Sequence, residues 1–221
     1  MEQLNIDDVV QAYQLAVEGI PKEMIDLDLR VQFLTIQALA EGHPLSAEEL
    51  AELWQIPLGQ VRTILKQGAE KGSAELDREG NLIGAVLTTI PTHHRIQVNG
   101  HKMYAWCSYD AIYVPGILGK STEIESTDPI SHESIWLTVT PDGVVDYHPS
   151  GTVLSVVTGK AASSAGPNSP RCSQMLFFAS RESAETWVGD HPGVAILTVE
   201  EVYQLAREFQ IDSAKRLGLV S

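Results

Sequence analysis

The run His94-Arg95-Ile96-Gln97-Val98-Asn99-Gly100-His101-Lys102-Met103-Tyr104-Ala105 restricts the fold more than any other stretch of this chain. Asn-Gly between two short β-prone runs is the strongest local hairpin signal, because both turn residues tolerate positive φ; a turn this tight leaves only antiparallel pairing. The second arm runs directly into Trp106-Cys107-Ser108-Tyr109-Asp110. The apolar stretch from Ser108 to Leu118 then reads as a short helix, interrupted by Pro115 and Gly116. Cys107 is therefore expected where a strand ends and a helix begins, with Asp110 one helical step further along the same face.

Elsewhere the chain divides into two textures. Residues 1 to about 40 have apolar residues at three- and four-residue steps, with Pro21 as a break, and read as two helices. Ser46 and Glu49 have capping-box spacing before a third helix, Gln60 to Glu70 continues as a fourth, and Ala74 to Ile83 reads as a hairpin around Glu79-Gly80-Asn81. This is the order of a winged helix-turn-helix. From about residue 86 short β-runs dominate, with a second hairpin at Pro141-Asp142-Gly143, a strand over 153–157, a Ser-, Ala- and Gly-rich loop over 159–170 and a buried strand over 175–178. Ser180 and Thr198 cap two further helices, the last running through Phe209. The expected fold is α+β: an N-terminal helical winged-helix-like domain over 1–86, whose residues 1–25 form an extension, and an antiparallel or mixed sheet core with flanking helices over 87–221.

Charge decides whether the winged-helix order implies nucleic acid. The chain carries a formal net charge of −14. Residues 1–90 hold six basic against fifteen acidic side chains, a net of −9. Arg62 and Lys66 on the fourth helix are offset by Glu70 and by Glu75, Asp77 and Glu79 of the hairpin, where a DNA reader needs a basic face. The module reads as a packing or lid element, and no nucleic-acid partner is expected. No apolar run is long enough for a membrane span, and Met1 to Asp8 lack the features of a signal peptide, so a cytoplasmic protein with reduced thiols and no membrane partner is expected.

The two cysteines, Cys107 and Cys172, are too few for a structural zinc site unaided. Helix N-terminal amides favour a thiolate at Cys107. Two thiolates brought together suit a soft metal that accepts two-coordinate sulfur, and a carboxylic acid beside them could protonate a metal-bound carbon. On spacing alone Asp110 reads first as a solvated first-turn acid, on composition the cysteines read first as inert buried thiols, and their separation of 65 residues leaves their meeting open.

Tyr104-Ala105-Trp106-Cys107-Ser108-Tyr109-Asp110 resembles the first catalytic motif of the organomercurial (alkylmercury) lyases, and Cys172-Ser173-Gln174-Met175-Leu176-Phe177-Phe178-Ala179-Ser180 resembles the second. Further similar stretches, including Asp77 to Ile83, Pro115 to Gly119 and Trp187 to Pro192, follow in matching order from about residue 30 to 210. The resemblance implies an enzyme of mercury resistance and detoxification. Cys107 and Cys172 would take the mercury of an organomercurial as thiolates, Asp110 would relay a proton to the leaving carbon, and Hg(II) would remain on the sulfurs with Asp110 as a weak contact. Trp106 would pack beside the site. No cofactor is implied; small cytosolic thiols, and a mercuric reductase as a possible acceptor, would remove the metal. The chain departs from many members at Asp128 and Ser173, where they carry further cysteines. A thiol- or soft-metal-binding protein without activity, and a metal-responsive winged-helix regulator, are the competing readings.

Overall fold

Local chemistry sets each helix start. Helix α1 (Ile6–Val17) is capped by Asn5, whose side chain accepts from the Asp7 and Asp8 amides while the Asp8 carboxylate accepts from the Asn5 N–H. Pro21 breaks the chain before α2 (Lys22–Leu39). At α3 (Ala47–Trp54) the expected capping box forms: Ser46 Oγ accepts from the Glu49 amide at 3.2 Å, and Glu49 accepts from the Ser46 amide at 2.8 Å. Gln55, at φ 58°, turns the chain into α4 (Leu58–Lys71), which stops at the left-handed Gly72. The short strands β1 (Glu75–Leu76) and β2 (Leu82–Ala85) complete the helix–turn–helix–hairpin order.

The strands that follow are β3 (Leu87–Thr88), β4 (His94–Val98) and β5 (His101–Ala105), then α5 (Ser108–Leu118). After it come β6 (Thr122–Thr127), β7 (Ser134–Thr140), β8 (Gly143–His148) and β9 (Val153–Val157). The chain ends with β10 (Phe177–Phe178), α6 (Arg181–Val188), β11 (Val194–Thr198), α7 (Val199–Ala206) and α8 (Asp212–Arg216). The computed structural model describes residues 4–158 and 166–220, so the loop expected over 159–170 lies outside the described residues from 159 to 165.

One sheet has the order β1-β2-β3-β5-β4-β6-β7-β8 and a second has β10-β9-β11; every strand pairing described in them is antiparallel. This is an α+β architecture. The β4–β5 hairpin turns at Asn99 and Gly100, both at positive φ. The N-terminal hairpin joins the large sheet directly, because β2 pairs with β3 and β3 with β5.

Strand β6 is not among the expected elements, and three others differ from expectation. Helix α5 is continuous, with Pro115 inside it. Proline removes one backbone bond near the C-terminal end, while Gly116 has no Cβ to overlap Ile211, so the last turn packs closely against the C-terminal segment. The last helix does not end at Phe209: a π turn at Arg207–Ile211 leads into α8. That extra residue per turn brings Gln210 to Tyr109 and Ile211 to Gly116. Strand β10 is shorter than the apolar run, because the Gln174 carbonyl and Leu176 N–H bond to the side chain of Ser155 rather than continuing a ladder.

Helix α5 is the centre of the core. Every residue from Ser108 to Ile117 is buried, with β4, β5 and β7 on one side and α2 and α7 on the other. A helix apolar all round can sit only inside a protein, and burying a side chain such as Ile112 or Val114 contributes about 1.5–3 kcal/mol.

Candidate active site

Cys107 is the N-cap of α5, with extended backbone at φ −147° and ψ 173°. Backbone bonds fix it on both sides: Trp106 N donates to Val86 O at 2.9 Å, Ser108 N to Met175 O at 3.1 Å, and Ala111 N to Cys107 O at 3.1 Å. Its side chain is completely buried, with Sγ 3.9 Å from the Met175 sulfur. Asp110 occupies the first turn of the same helix, 4% exposed, and is hydrogen-bonded to the Cys107 thiol and backbone N–H. The solvated acid that spacing allowed is therefore a core residue.

Cys172 arrives by a different route. It opens a single 3-10 turn, Cys172–Gln174, after a Pro-rich segment. Its N–H donates to Ser169 Oγ at 3.1 Å, and Ser173 Oγ donates to Ser169 O at 2.8 Å. Beneath it Ser155, buried on β9, donates to Gln174 O at 2.7 Å and accepts from Leu176 N at 2.9 Å. These bonds aim Cys172 back at α5. One ligand atom each from Cys107, Asp110 and Cys172 lies within 4.8 Å of the other two. Both cysteines are free.

Trp106 is the fourth residue singled out from the sequence. Its indole N–H donates to Glu75 at 3.0 Å, and the same Glu75 oxygen accepts from Thr88 Oγ1 at 2.5 Å. Glu75 belongs to β1, so the N-terminal hairpin holds the tryptophan next to Cys107; a Cβ at Gly84 would collide with that carboxylate. Trp106 and Glu75 line a cleft of about 610 Å³ that reaches Cys172 between Pro91, Pro129, Pro167 and Leu176. Cys107 does not line it.

Burial dominates the electrostatics. It pushes the Cys107 thiol well above its usual range, reinforced by the hydrogen bond with Cys172 and the nearby Asp110, with Arg171 opposing. The expectation that helix amides favour a thiolate here is overturned for the unliganded site: desolvation outweighs a helix terminus. Burial also raises Asp110 to about 6, against the opposing pull of Arg171 and the Cys107 hydrogen bonds. The site at rest is a protonated thiol beside a carboxyl that can gain or lose a proton near neutrality.

Sequence reasoning missed several neighbours. Arg171 stands directly before Cys172; its guanidinium donates to Tyr13 Oη at 3.2 Å and lies 5.5 Å from the Tyr13 ring and 5.8 Å from the Tyr109 ring. Adjacency to Cys172 was the available signal. Tyr13, Glu75 and Ser155 had none, since each reaches the site from a distant element. Asp128, a buried carboxylate, accepts from Ile130 N, Ser131 N, Ser183 Oγ and Ala179 N, all between 2.7 and 3.0 Å. Burial would raise its pKa, but these bonds outweigh it and hold the carboxyl below its ordinary value.

Comparison with known proteins gives a consistent picture. The family model described as alkylmercury lyase (MerB) matches residues 87–210. Proteins named alkylmercury lyase are similar in sequence: one from Staphylococcus epidermidis is 36% identical over 172 residues, covering 78% of this chain and 77% of its own. One from Bacillus cereus is 37% identical over the same span, and one from Pseudomonas putida is 32% identical over 174 residues, 80% of its length. A crystal structure described as the mercury-bound form of MerB2 shares the fold, with a TM-score of 0.74, 23% identity, and coverage of 96% of this chain and 98% of that one.

Proposed function

The chain belongs to the alkylmercury lyase family, enzymes that cleave carbon–mercury bonds, and we propose that Cys107, Cys172 and Asp110 are the residues with which it does so. The observation that carries this assignment is the meeting of two free thiols and one buried carboxyl within 4.8 Å.

The substrate is an organomercurial, delivered as R–Hg–SR′ on a small thiol. It enters by the cleft and meets Cys172 first, since Cys172 lines the cleft and Cys107 lies behind it. The Cys172 sulfur displaces R′S⁻, which leaves as R′SH with the Cys172 proton. Mercury then draws in the Cys107 sulfur, because a thiol loses its proton outright on coordination. That proton passes to Asp110, already hydrogen-bonded to the thiol and, at about 6, mostly ionised at neutral pH. Two sulfurs add electron density to mercury and weaken the carbon bond. Asp110 delivers its proton to carbon, which keeps the electron pair of the breaking bond. The balance is R–Hg–SR′ plus two cysteine thiols giving R–H, R′SH and Hg(II) on two thiolates.

So drawn, the reaction needs no cofactor. Small thiols remove the product Hg(II), and a mercuric reductase is a fitting acceptor. Two free thiols this close together support a reducing compartment such as the cytoplasm. No helix among the described residues is long and apolar enough to cross a membrane.

Incubation with phenylmercury and excess small thiol, assayed for benzene, tests the reaction. With Asp110→Asn, binding of Hg(II) persists while benzene release collapses; release at the unaltered rate would remove Asp110 from the mechanism. A protein that only binds mercury gives no benzene in either form.

A further inference from the structure

The mechanism leaves one half-buried charge unused. Arg171 sits next to Cys172, with its Nε out of water and its guanidinium between the ring of Tyr13 and the ring of Tyr109. Tyr13 belongs to α1, within the N-terminal extension and outside the region matched by the family model. Its ring stacks on Phe209 of the π turn at 5.2 Å and 26°, and its hydroxyl accepts from Arg171 at 3.2 Å. Tyr109 is fixed in turn by Gln210, to which its hydroxyl donates at 2.5 Å. Two rings and a phenol oxygen, from Tyr13 of α1 and Tyr109 of α5, thus hold one cation beside the cysteine–aspartate group.

We propose that Arg171 is a positioning residue for the mercury chemistry, its fixed positive charge stabilising the two sulfur anions that capture creates, and that α1 is part of the active site because Tyr13 holds that charge in place. The inference rests on the assignment of Cys107 and Cys172 as the mercury-binding pair. Physically, capture replaces two neutral thiols by two thiolates around one mercury, beside a carboxyl, where water cannot screen them. A cation that is already partly desolvated and immobilised lowers the energy of that state without reorganising as it forms. The guanidinium of Arg171 lies against the ring of Tyr109, the residue immediately before Asp110, and the Arg171 backbone is continuous with Cys172. Arginine suits the place: the planar guanidinium stacks on aromatic faces and keeps its charge when buried, whereas a lysine would lose either the stacking or the charge.

The test uses the full-length protein with phenylmercury and excess small thiol, measuring kcat, KM and retention of Hg(II) against a competing dithiol. Arg171→Met is expected to lower kcat on the order of tenfold or more, the effect of removing an opposite charge from a buried anionic site, and to release Hg(II) to the dithiol at lower concentration. Arg171→Lys recovers part of both losses. Tyr13→Ala lowers kcat several-fold and Tyr13→Phe less, since phenylalanine keeps the ring face. Thermal unfolding of the unliganded variants separates this from a packing role, which would lower the melting temperature in parallel and would not be rescued by lysine. Should Arg171→Met not fold, the Tyr13 pair decides alone. Unaltered kcat and Hg(II) retention in Arg171→Met, or in Tyr13→Ala where that pair decides, overturns the proposal. Absence of benzene from the unsubstituted protein would instead overturn the assignment of the reaction itself.

Discussion

The two cysteines reach one site by opposite means. Cys107 is held by regular structure: a strand enters it, a fully buried helix leaves it, and backbone bonds on both sides determine its direction. Cys172 sits in a short irregular segment around a single 3-10 turn, held by side-chain bonds of Ser169 and Ser155 and by the local backbone bonds from Ser173 N to Ser169 O and from Met175 N to Cys172 O. The first arrangement is stiff because it is continuous with the core. The second is tied to the core by fewer and more local bonds, at the edge of the cleft. One cysteine built into the core and one at the cleft's edge would suit the proposed reaction, which must admit a bulky substrate before two sulfurs close on one metal.

The largest expected effects would remove that pair. Cys107→Ser and Cys172→Ser each abolish benzene release, because neither leaves two thiolates on mercury. If either kept unaltered activity, the division into two cooperating ligands would fall. Asp110→Asn follows, with release reduced roughly 10²- to 10⁴-fold, the range of a positioned general acid–base group. The same variant should be more stable than the parent at pH 8. With the native carboxyl at about 6 and the ordinary value at 3.8, the folded state binds the proton more tightly. Its stabilisation by that proton is complete below the ordinary value and is lost as pH rises through about 6, a difference of roughly 3 kcal/mol. Chemical denaturation of both proteins at pH 5 and pH 8 measures it, and equal pH dependence would contradict a buried carboxyl.

Two milder substitutions separate the segments. Ser155→Ala removes the bond to the half-buried Leu176 N–H at a cost of about 0.5–1.5 kcal/mol and loosens the Cys172 turn, so kcat should fall by more than the stability loss suggests. Gly116→Ala pushes against Ile211 on the far end of α5 and should cost about 1–3 kcal/mol with little change in kcat for the molecules that remain folded. Comparable kcat losses in both would mean that the Cys172 segment is no more loosely tied than the helix. The smallest expected effect is on the exposed Arg62–Glu48 pair, where Arg62→Ala changes stability by less than about 1 kcal/mol.

Much of this protein was written in local patterns. Asn99-Gly100 determined the hairpin, Ser46 and Glu49 the start of α3, and the passage from Ala105 through Cys107 to Leu118 the strand-to-helix junction that carries the first thiol. Each depends on neighbours a few residues apart, where backbone preference and short hydrogen bonds dominate. The order of motifs around Cys107 and Cys172 pointed to the chemistry. Tertiary structure alone decided the rest. It brought sulfurs 65 residues apart in sequence within 4.8 Å of each other, buried Asp110 and so raised it to about 6, and reversed the expectation for the Cys107 thiol. It also placed Glu75 of the N-terminal hairpin on Trp106 and Tyr13 of α1 on Arg171. A proton's affinity for a side chain depends on how much water the whole fold removes, and no spacing in a sequence records that.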